Sequence, residues 1–179
     1  MEQIWKQQAA EVIANLHLPA YHAIPDVGLF LEQVTQYINS YLSPIEGAAI
    51  TGSMISNYVK RGLIASPVKK QYNREQIAQL FFITTAKSVL SLEELQTILR
   101  VQQRSYPAAV AYDYFCMELK NVLQYVFGVK DTLDEVGVEQ SEEKTLLRNT
   151  IIALAHKIYL DKLFGVIRED LAQADEAAE

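Results

Sequence analysis

Apolar residues recur at helical spacing along most of this 179-residue chain. In a helix such residues fall on one face, whereas a half-buried strand would need strict alternation of apolar and polar residues. One clear run has its apolar positions at Leu31, Val34, Ile38 and Leu42. The pattern therefore predicts a chain built from separate amphipathic helices.

Capping residues mark where three of these helices begin. Each cap has a side-chain oxygen that can accept a hydrogen bond from a backbone N–H of the first helical turn, which has no partner within the helix. Gly62 is suited to end the first of the three helices, because glycine adopts the left-handed conformation at low cost. The predicted N-caps are Thr51, Asn73 and Ser91.

The last predicted helix, residues 142–174, carries a coiled-coil pattern. Four apolar residues repeat at spacings of four, three and four, which is typical of a seam between two helices. Asp161 interrupts the pattern, and three apolar residues then resume it on a shifted stripe. We therefore expect the last two helices to supply a homodimer interface. The seam residues are Leu147, Ile151, Leu154 and Ile158, and the shifted stripe is Phe164, Ile167 and Leu171.

Charge is distributed unevenly along the chain. The formal net charge is −6 at pH 7, yet no Asp or Glu occurs from Gly47 to Arg74. A local basic patch still attracts phosphate when the rest of the protein is acidic, because salt screens charges beyond about 10 Å. The segment therefore indicates a nucleic-acid-binding face, and the alternative is a solvated basic loop. Its cations are Lys60, Arg61, Lys69, Lys70 and Arg74.

The helix predicted between Thr51 and Gly62 has one polar side. Short polar side chains near the start of a helix suit contact with base edges in the DNA major groove. Asparagine can bond adenine through two hydrogen bonds, and cations one turn later can reach phosphate. An ordinary amphipathic surface helix would show the same pattern. The residues expected to face outward are Ser53, Ser56, Asn57 and Lys60, followed by Arg61.

Residues 65–72 are predicted to form a short hairpin or wing. Pro67 and the weak alternation that ends at Tyr72 favour extended structure here. In a winged helix-turn-helix protein, the wing carries cations to the DNA backbone beside the groove that holds the recognition helix. Lys69 and Lys70 occupy that position. Each phosphate that they neutralise should contribute about −0.9 to the slope of log K against log salt.

The order of these elements resembles the DNA-binding head of MerR-type regulators. Three segments follow that family's order of recognition helix, wing and two further helices: MISNYVKRGLI, KKQYNREQIAQL and SLEELQTIL. The same stretch, about residues 29–100, also resembles domain-of-unknown-function family 1836, small bacterial proteins with a MerR-like head. The matching positions are Ile55, Tyr58, Gly62, Leu63, Lys70, Tyr72, Ile77, Ser91, Leu92 and Glu94.

The resemblance implies double-stranded DNA as a partner and places Tyr58 and Lys70 at phosphate-contacting positions, with Tyr72 in the same wing. MerR-type heads usually carry Arg at the position of Ser56 and an aromatic residue at the position of Asn57. The family pattern therefore implies contact with the DNA backbone and does not imply base contact by Asn57.

The expected fold class is all-α with a short β wing. It combines a winged helix-turn-helix head with a C-terminal helical bundle or dimerisation helices. Residues 1–28 would form an N-terminal helix and loop, residues 29–104 the head, and residues 105–179 the C-terminal helical domain. The apolar face of the N-terminal helix consists of Trp5, Ala9, Val12 and Leu16.

The sequence does not indicate a catalytic or metal site. Its histidines and Cys116 lack the spacing of a zinc site, and we find neither a Gly-rich phosphate loop nor a nucleophile elbow. We therefore predict a non-enzymatic protein without a cofactor. No apolar run reads as a membrane span and the N-terminus does not resemble a signal peptide, so we expect a cytoplasmic protein. The histidines are His17, His22 and His156.

Two alternatives to a DNA-binding transcriptional regulator remain open. A protein-interaction module would reuse the fold without binding DNA, which the acidic remainder of the chain and Ser56 favour. A small-ligand sensor would hold its pocket among the C-terminal helices, where Tyr106, Tyr112 and Tyr114 cluster. A helix–helix core is the other use for these tyrosines.

Overall fold

The computed structural model describes residues 10, 14–137 and 140–176. This part of the chain contains six α-helices, numbered α1 to α6, and one small sheet. None of the described helices is both long and apolar enough to cross a membrane. The helices are α1 Leu31–Leu42, α2 Gly52–Lys60, α3 Arg74–Ala86, α4 Leu92–Ser105, α5 Ala108–Val126 and α6 Glu142–Glu176, and the strands are β1 Leu29–Phe30 and β2 Gln71–Tyr72.

The prediction of an all-α fold with a short β element is confirmed. The three predicted N-caps are confirmed as well, because the side-chain oxygens of Thr51, Asn73 and Ser91 each accept the N–H of the residue three places later, at 3.3, 2.9 and 3.2 Å. The predicted N-terminal helix is largely not covered, since Trp5, Ala9 and Val12 lie outside the described residues.

Helix α3 lies at the centre of the fold. It is apolar around most of its circumference, and a helix of this kind is stable only when other elements cover it. Helices α1, α4, α5 and α6 all contact it. Ile77, Leu80 and Ile83 are completely buried. The hydroxyl groups of Thr84 and Thr85 donate to carbonyls of the preceding turn, so both buried hydroxyls have a hydrogen-bond partner.

Aromatic rings fill the space between α1, α3 and α5. The ring of Phe81 lies 5.9 Å from that of Tyr41 and 6.1 Å from that of Tyr112, measured between centroids. Phe82 meets Phe115 edge to face at 5.3 Å. Aromatic pairs of this geometry contribute about 0.5–1.5 kcal/mol each beyond the area they bury. These contacts hold both α1 and α5 against α3.

The small sheet differs from the predicted wing. Residues 65–72 were expected to form a hairpin of their own, but within them only Val68 and Gln71 form a bridge. Strand β2 instead pairs antiparallel with β1, the segment that precedes α1. The physical reason is that the residues before Val68 cannot continue a ladder. Pro67 has no N–H to donate, and the two carbonyls before it accept hydrogen bonds from α3.

The side chain of Gln76 makes that connection between α3 and the loop. It is only 6 % exposed. Its amide nitrogen donates to the carbonyl oxygen of Ala65 at 2.9 Å and lies 3.4 Å from that of Ser66. Its Oε1 accepts the N–H of Asn73 at 2.8 Å. The loop that leads to β2 is therefore fastened to the buried helix.

Helices α5 and α6 pack along one another and close the remaining side of the core. Leu147, Ile151, Leu154 and Ile158 are at most 4 % exposed within the single chain. The predicted coiled-coil seam is therefore not available to a second copy, because the chain has already buried it. One hydrophobic cluster includes residues from α1 to α6, so the core continues across the boundary expected between residues 104 and 105.

We expect Gln76→Ala to lower the free energy of unfolding by roughly 1–3 kcal/mol, because the loop carbonyls and the Asn73 N–H lose a buried partner. Gln79→Ala is the matched control on the same helix. Gln79 is half-buried and bonds weakly, to Glu75 at 3.5 Å. Its loss should cost less than about 0.5 kcal/mol. Urea denaturation measures both, and equal effects would contradict an anchoring role for Gln76.

Candidate nucleic-acid interface

Helix α2 is held at its start by Asn39 on α1. The Asn39 Nδ2 donates to the carbonyl of Ile50 at 2.9 Å, and the N–H of Ile50 donates to Asn39 Oδ1 at 2.9 Å. The next residue, Thr51, caps α2 by accepting the N–H of Met54. Because the amide of Asn39 is hydrogen-bonded to both the N–H and the carbonyl of Ile50, the start of α2 is fixed relative to α1.

The two sides of α2 differ in burial in the predicted way. Ile55 is completely buried and Tyr58 is 4 % exposed, so this side packs on the core. The opposite side is open to solvent and polar. It presents Ser53, Ser56, Asn57 and Lys60, and Arg61 follows at the end of the helix.

The polar groups on the exposed side are only partly engaged. Ser56 Oγ donates to the carbonyl of Gly52 at 2.9 Å. The Nε of Arg61 donates to Asn57 Oδ1 at 3.3 Å. This leaves the amide N–H groups of Asn57 and the terminal nitrogens of Arg61 available as donors. Purine N7 atoms and phosphate oxygens are acceptors that such donors can reach on DNA.

Residues 68–71 form a tight turn, here called the basic turn. Val68 and Gln71 exchange backbone hydrogen bonds of 3.1 and 2.9 Å. Between them, Lys69 and Lys70 have φ angles of 50° and 63°, the left-handed pair of a type I′ turn. Such turns prefer Asn-Gly, since the left-handed conformation costs other L-residues roughly 1–2 kcal/mol each. The basic turn therefore holds two lysines where backbone geometry favours Asn and Gly.

The lysines of this region carry uncompensated charge. Lys60, Lys69 and Lys70 are exposed, and in the described part of the chain no carboxylate pairs with them. Arg61 is exposed and bonds a neutral amide. Four of the five predicted cations are thus free to meet an anionic partner.

Arg74, the fifth cation, has a structural role. Its Nε donates to the carbonyl of Ile24 at 2.8 Å, and a terminal nitrogen lies 3.7 Å from a carboxylate oxygen of Asp26. Its guanidinium also lies 5.7 Å from the ring centroid of Tyr21. These contacts fasten the segment before β1 to the start of α3, so we leave Arg74 out of the candidate interface.

The rings of the two tyrosines expected at the interface are largely buried. Tyr58 and Tyr72 are each 4 % exposed. Burial raises the pKa of both phenols. Both rings belong to the hydrophobic core that supports α2 and β2.

Sequence reasoning missed two apolar residues beside the basic turn. Val68 is 74 % exposed, and Phe30, which pairs with Gln71 across the sheet, is 50 % exposed. Alternation had placed Val68 on the same side as Tyr72, but the tight turn breaks that alternation. Phe30 directly precedes α1, and no pattern in the sequence marked Leu29 and Phe30 as a strand.

The described residues contain no group of three or more His, Cys, Asp or Glu side chains that could hold a metal ion. Cys116 is half-buried, and burial raises the pKa of its thiol to about 12. A thiol of this kind is protonated at neutral pH and is a poor nucleophile. The exposed basic surface is therefore the feature with the clearest binding chemistry.

We expect the double variant Lys69→Asn, Lys70→Gly to raise the free energy of unfolding by roughly 1–2 kcal/mol, because it supplies the residues that a type I′ turn prefers. The variant Lys69→Ala, Lys70→Ala is the control, since alanine retains the Cβ that makes the left-handed conformation costly. Guanidinium denaturation compares the two. A gain that is the same in both variants would show that charge repulsion, and not backbone strain, limits the turn.

Comparison with known proteins gives one match. The family model described as Domain of unknown function (DUF1836) matches residues 19–115, from the segment before β1 into the first half of α5. A search of curated proteins and a search of solved structures each returned no match. The matched region is more than half of the chain and includes the whole candidate interface. The chain therefore belongs to the DUF1836 family.

Proposed function

We propose that this protein binds double-stranded DNA as a non-enzymatic transcriptional regulator of the cytoplasm. Helix α2 would enter the major groove with Asn57, Ser53 and Ser56 toward the bases. Lys60, Arg61 and the basic turn would contact the phosphate backbone.

The observation that carries the proposal is the conformation of the basic turn. Two lysines occupy left-handed positions at the tip of a tight turn, and both are fully available to a partner. Residues kept against local preference are commonly found at functional sites. Lysine contributes only its charge and reach here, so the proposed partner is a polyanion.

The distribution of charge supports the same partner. The whole chain has a formal charge of −6, although residues 47–74 carry five cations and no acid. The remainder of the chain is therefore strongly acidic and would be repelled by DNA. Screening over about 10 Å allows the two regions to act separately. An arrangement of this kind orients the protein, since only one face can approach the duplex.

We further propose that the head is a MerR-like winged helix-turn-helix. The order of α2, basic turn, α3 and a Ser91-capped α4 supports this assignment. The chain departs from the resemblance in Ser56, in Asn57 and in a β2 strand that pairs with the segment before α1. Contact with the DNA backbone is thus better supported than contact with bases. Base contact by Asn57 is supported only by the exposure of its side chain and by its amide hydrogen-bonding groups.

A second copy of the chain would pair through the outer side of α6. The predicted shifted stripe of Phe164, Ile167 and Leu171 lies on the side of the helix opposite the buried seam, and Phe164 and Leu171 are 55 and 61 % exposed. Leu160, which the sequence prediction did not include, is 44 % exposed and extends the stripe to a spacing of four, three and four. That spacing suits contact between two copies of the same helix. Arg168 and Asp161, which pairs with Lys157 within the chain, lie beside the stripe and would attract one another in an antiparallel pair.

One observation favours a protein partner as the second candidate function. Val27, Phe30 and Val68 are 73, 50 and 74 % exposed around the small sheet. Exposed apolar side chains grouped on one surface are typical of protein-interaction sites. In this alternative, the basic turn would contact an acidic segment of the partner in place of phosphate.

We expect Lys69→Ala with Lys70→Ala to weaken binding to a fluorescent duplex by about 10- to 100-fold at 0.1 M salt. Each lost phosphate contact removes about 0.9 from the slope of log K against log salt, so the slope should fall by about 1.8. Fluorescence anisotropy over a series of salt concentrations measures both, with DNA from upstream of the protein's own gene and a shuffled duplex of equal length.

The control variant is Arg104→Ala with Lys120→Ala, which removes two exposed cations from α4 and α5. It should change neither affinity nor slope. Equal losses in the two double variants would contradict a binding site at the basic turn. Weak and equal binding to both duplexes would contradict sequence-specific regulation.

We expect Phe164→Glu with Leu171→Glu to convert a dimer into a monomer, because it places charge in the apolar stripe. Sedimentation velocity measures the change. Met117→Glu with Val129→Glu is the control, since both residues are 56 % exposed but lie outside α6. A wild-type protein that sediments as a monomer at tens of micromolar would contradict the proposed pairing.

A further inference from the structure

A cavity of about 230 Å³ lies between the C-terminal end of α4, the first half of α5 and the start of α6. Its walls are mostly apolar, with Val110, Ala111 and Leu147 among them. It is separate from the basic surface, since none of its lining residues belongs to α2 or to the basic turn. Clefts with apolar walls and a few polar groups are the usual sites of small molecules.

Two of the three clustered tyrosines line this cavity, and the third does not. Tyr112 is 5 % exposed and belongs to the aromatic core. Tyr106 and Tyr114 line the cavity. The hydroxyl of Tyr106 lies 2.7 Å from Ser141 Oγ, which fixes the position of its ring. The cavity therefore has two aromatic rings in its wall, and one of them is anchored.

The rim of the cavity carries one charge of each sign. Lys144 lies with its ammonium 5.7 Å from the ring centroid of Tyr114 and donates to the carbonyl of Gly137 at 3.0 Å. Glu143 is half-buried, and its carboxylate has no partner in the described part of the chain. Glu143 lies in the first turn of α6, where the helix dipole favours a carboxylate, and its oxygens remain open to a hydrogen-bond donor. A ligand with an ammonium group would supply that donor together with the opposite charge.

We propose that this cavity binds a free amino acid with a bulky apolar side chain, such as phenylalanine. The side chain would lie between the rings of Tyr106 and Tyr114 and against Leu147. The α-ammonium group would pair with Glu143 and the α-carboxylate with Lys144. A cavity of about 150 Å³ holds one benzene ring, so about 230 Å³ has room for a phenyl ring and part of the amino acid backbone. The site does not depend on the proposed binding of DNA.

Three probes of equal ring size separate the contributions of the two charges. L-phenylalanine has both charged groups, 3-phenylpropanoate lacks the ammonium, and phenethylamine lacks the carboxylate. We expect saturable one-to-one binding of L-phenylalanine to the full chain by isothermal titration calorimetry. The other two probes should bind at least tenfold more weakly.

Variants then assign the two contacts. Glu143→Gln should weaken L-phenylalanine at least fivefold and leave 3-phenylpropanoate unchanged. Lys144→Met should weaken L-phenylalanine and 3-phenylpropanoate and leave phenethylamine unchanged. Val110→Trp, at a position that is 54 % exposed, should block all three probes by filling the mouth of the cavity. Thermal melting of each variant verifies that it is folded.

Lys120→Met is the matched control, because Lys120 is an exposed lysine on α5 that does not line the cavity. It should bind L-phenylalanine as the wild type does. Absence of saturable binding by the wild type would overturn the proposal. So would binding that survives Val110→Trp, or equal affinity for the three probes, since either would place the ligand elsewhere or make the charged rim irrelevant.

Discussion

The buried amide of Gln76 is the interaction on which the geometry of the proposed interface depends. It completes the capping box of α3 with Asn73 and at the same time bonds the carbonyls of the loop before the basic turn. Four other helices pack against α3, so a loop that is fastened to α3 is fixed relative to the core. A second amide, that of Asn39, does the same for the start of α2. Two side-chain amides thus fasten α2 to α1 and the basic turn to α3, and these two supporting helices pack on each other, which gives the pre-organisation that recognition of a rigid duplex requires.

The basic turn shows a conflict between local and overall requirements. Backbone geometry there favours Asn-Gly, whereas the chain has Lys69 and Lys70 in left-handed conformation. The left-handed conformation is maintained because β2, which follows the turn, pairs with β1, and Gln76 bonds the loop that precedes the turn. The same chain pairs Arg74 with Asp26 and with Tyr21, so it does not leave every cation unpaired. Lys120 on α5 and Lys162 on α6 also have no carboxylate partner in the described residues, so the distinguishing feature of this surface is that Lys60, Lys69 and Lys70 lie close together in a segment without acids, in keeping with a polyanionic partner.

Local signals predicted the helices and their starts well, since helical periodicity and capping at Thr51, Asn73 and Ser91 depend on residues close in sequence. They also predicted which side of α2 is exposed. Pairing between distant segments was not predictable in this way. The partner strand of β2 lies some 40 residues earlier, and the seam on α6 could serve α5 or a second copy equally well by pattern alone. The burial of Tyr58 and Tyr72 was not predictable from the pattern either, because an aromatic residue with a hydroxyl suits both a core and a phosphate contact.

A ¹⁵N NMR titration of the full chain with a short DNA duplex tests most directly whether this surface binds DNA. We predict chemical-shift changes that are concentrated in two places, the exposed side of α2 with Arg61 and the basic turn at residues 68–71. Signals from α5 and from the outer side of α6 should stay in place at the protein concentration used. Shift changes that are absent at saturating duplex, or that fall mainly outside residues 51–72, would contradict the assignment of this surface to DNA.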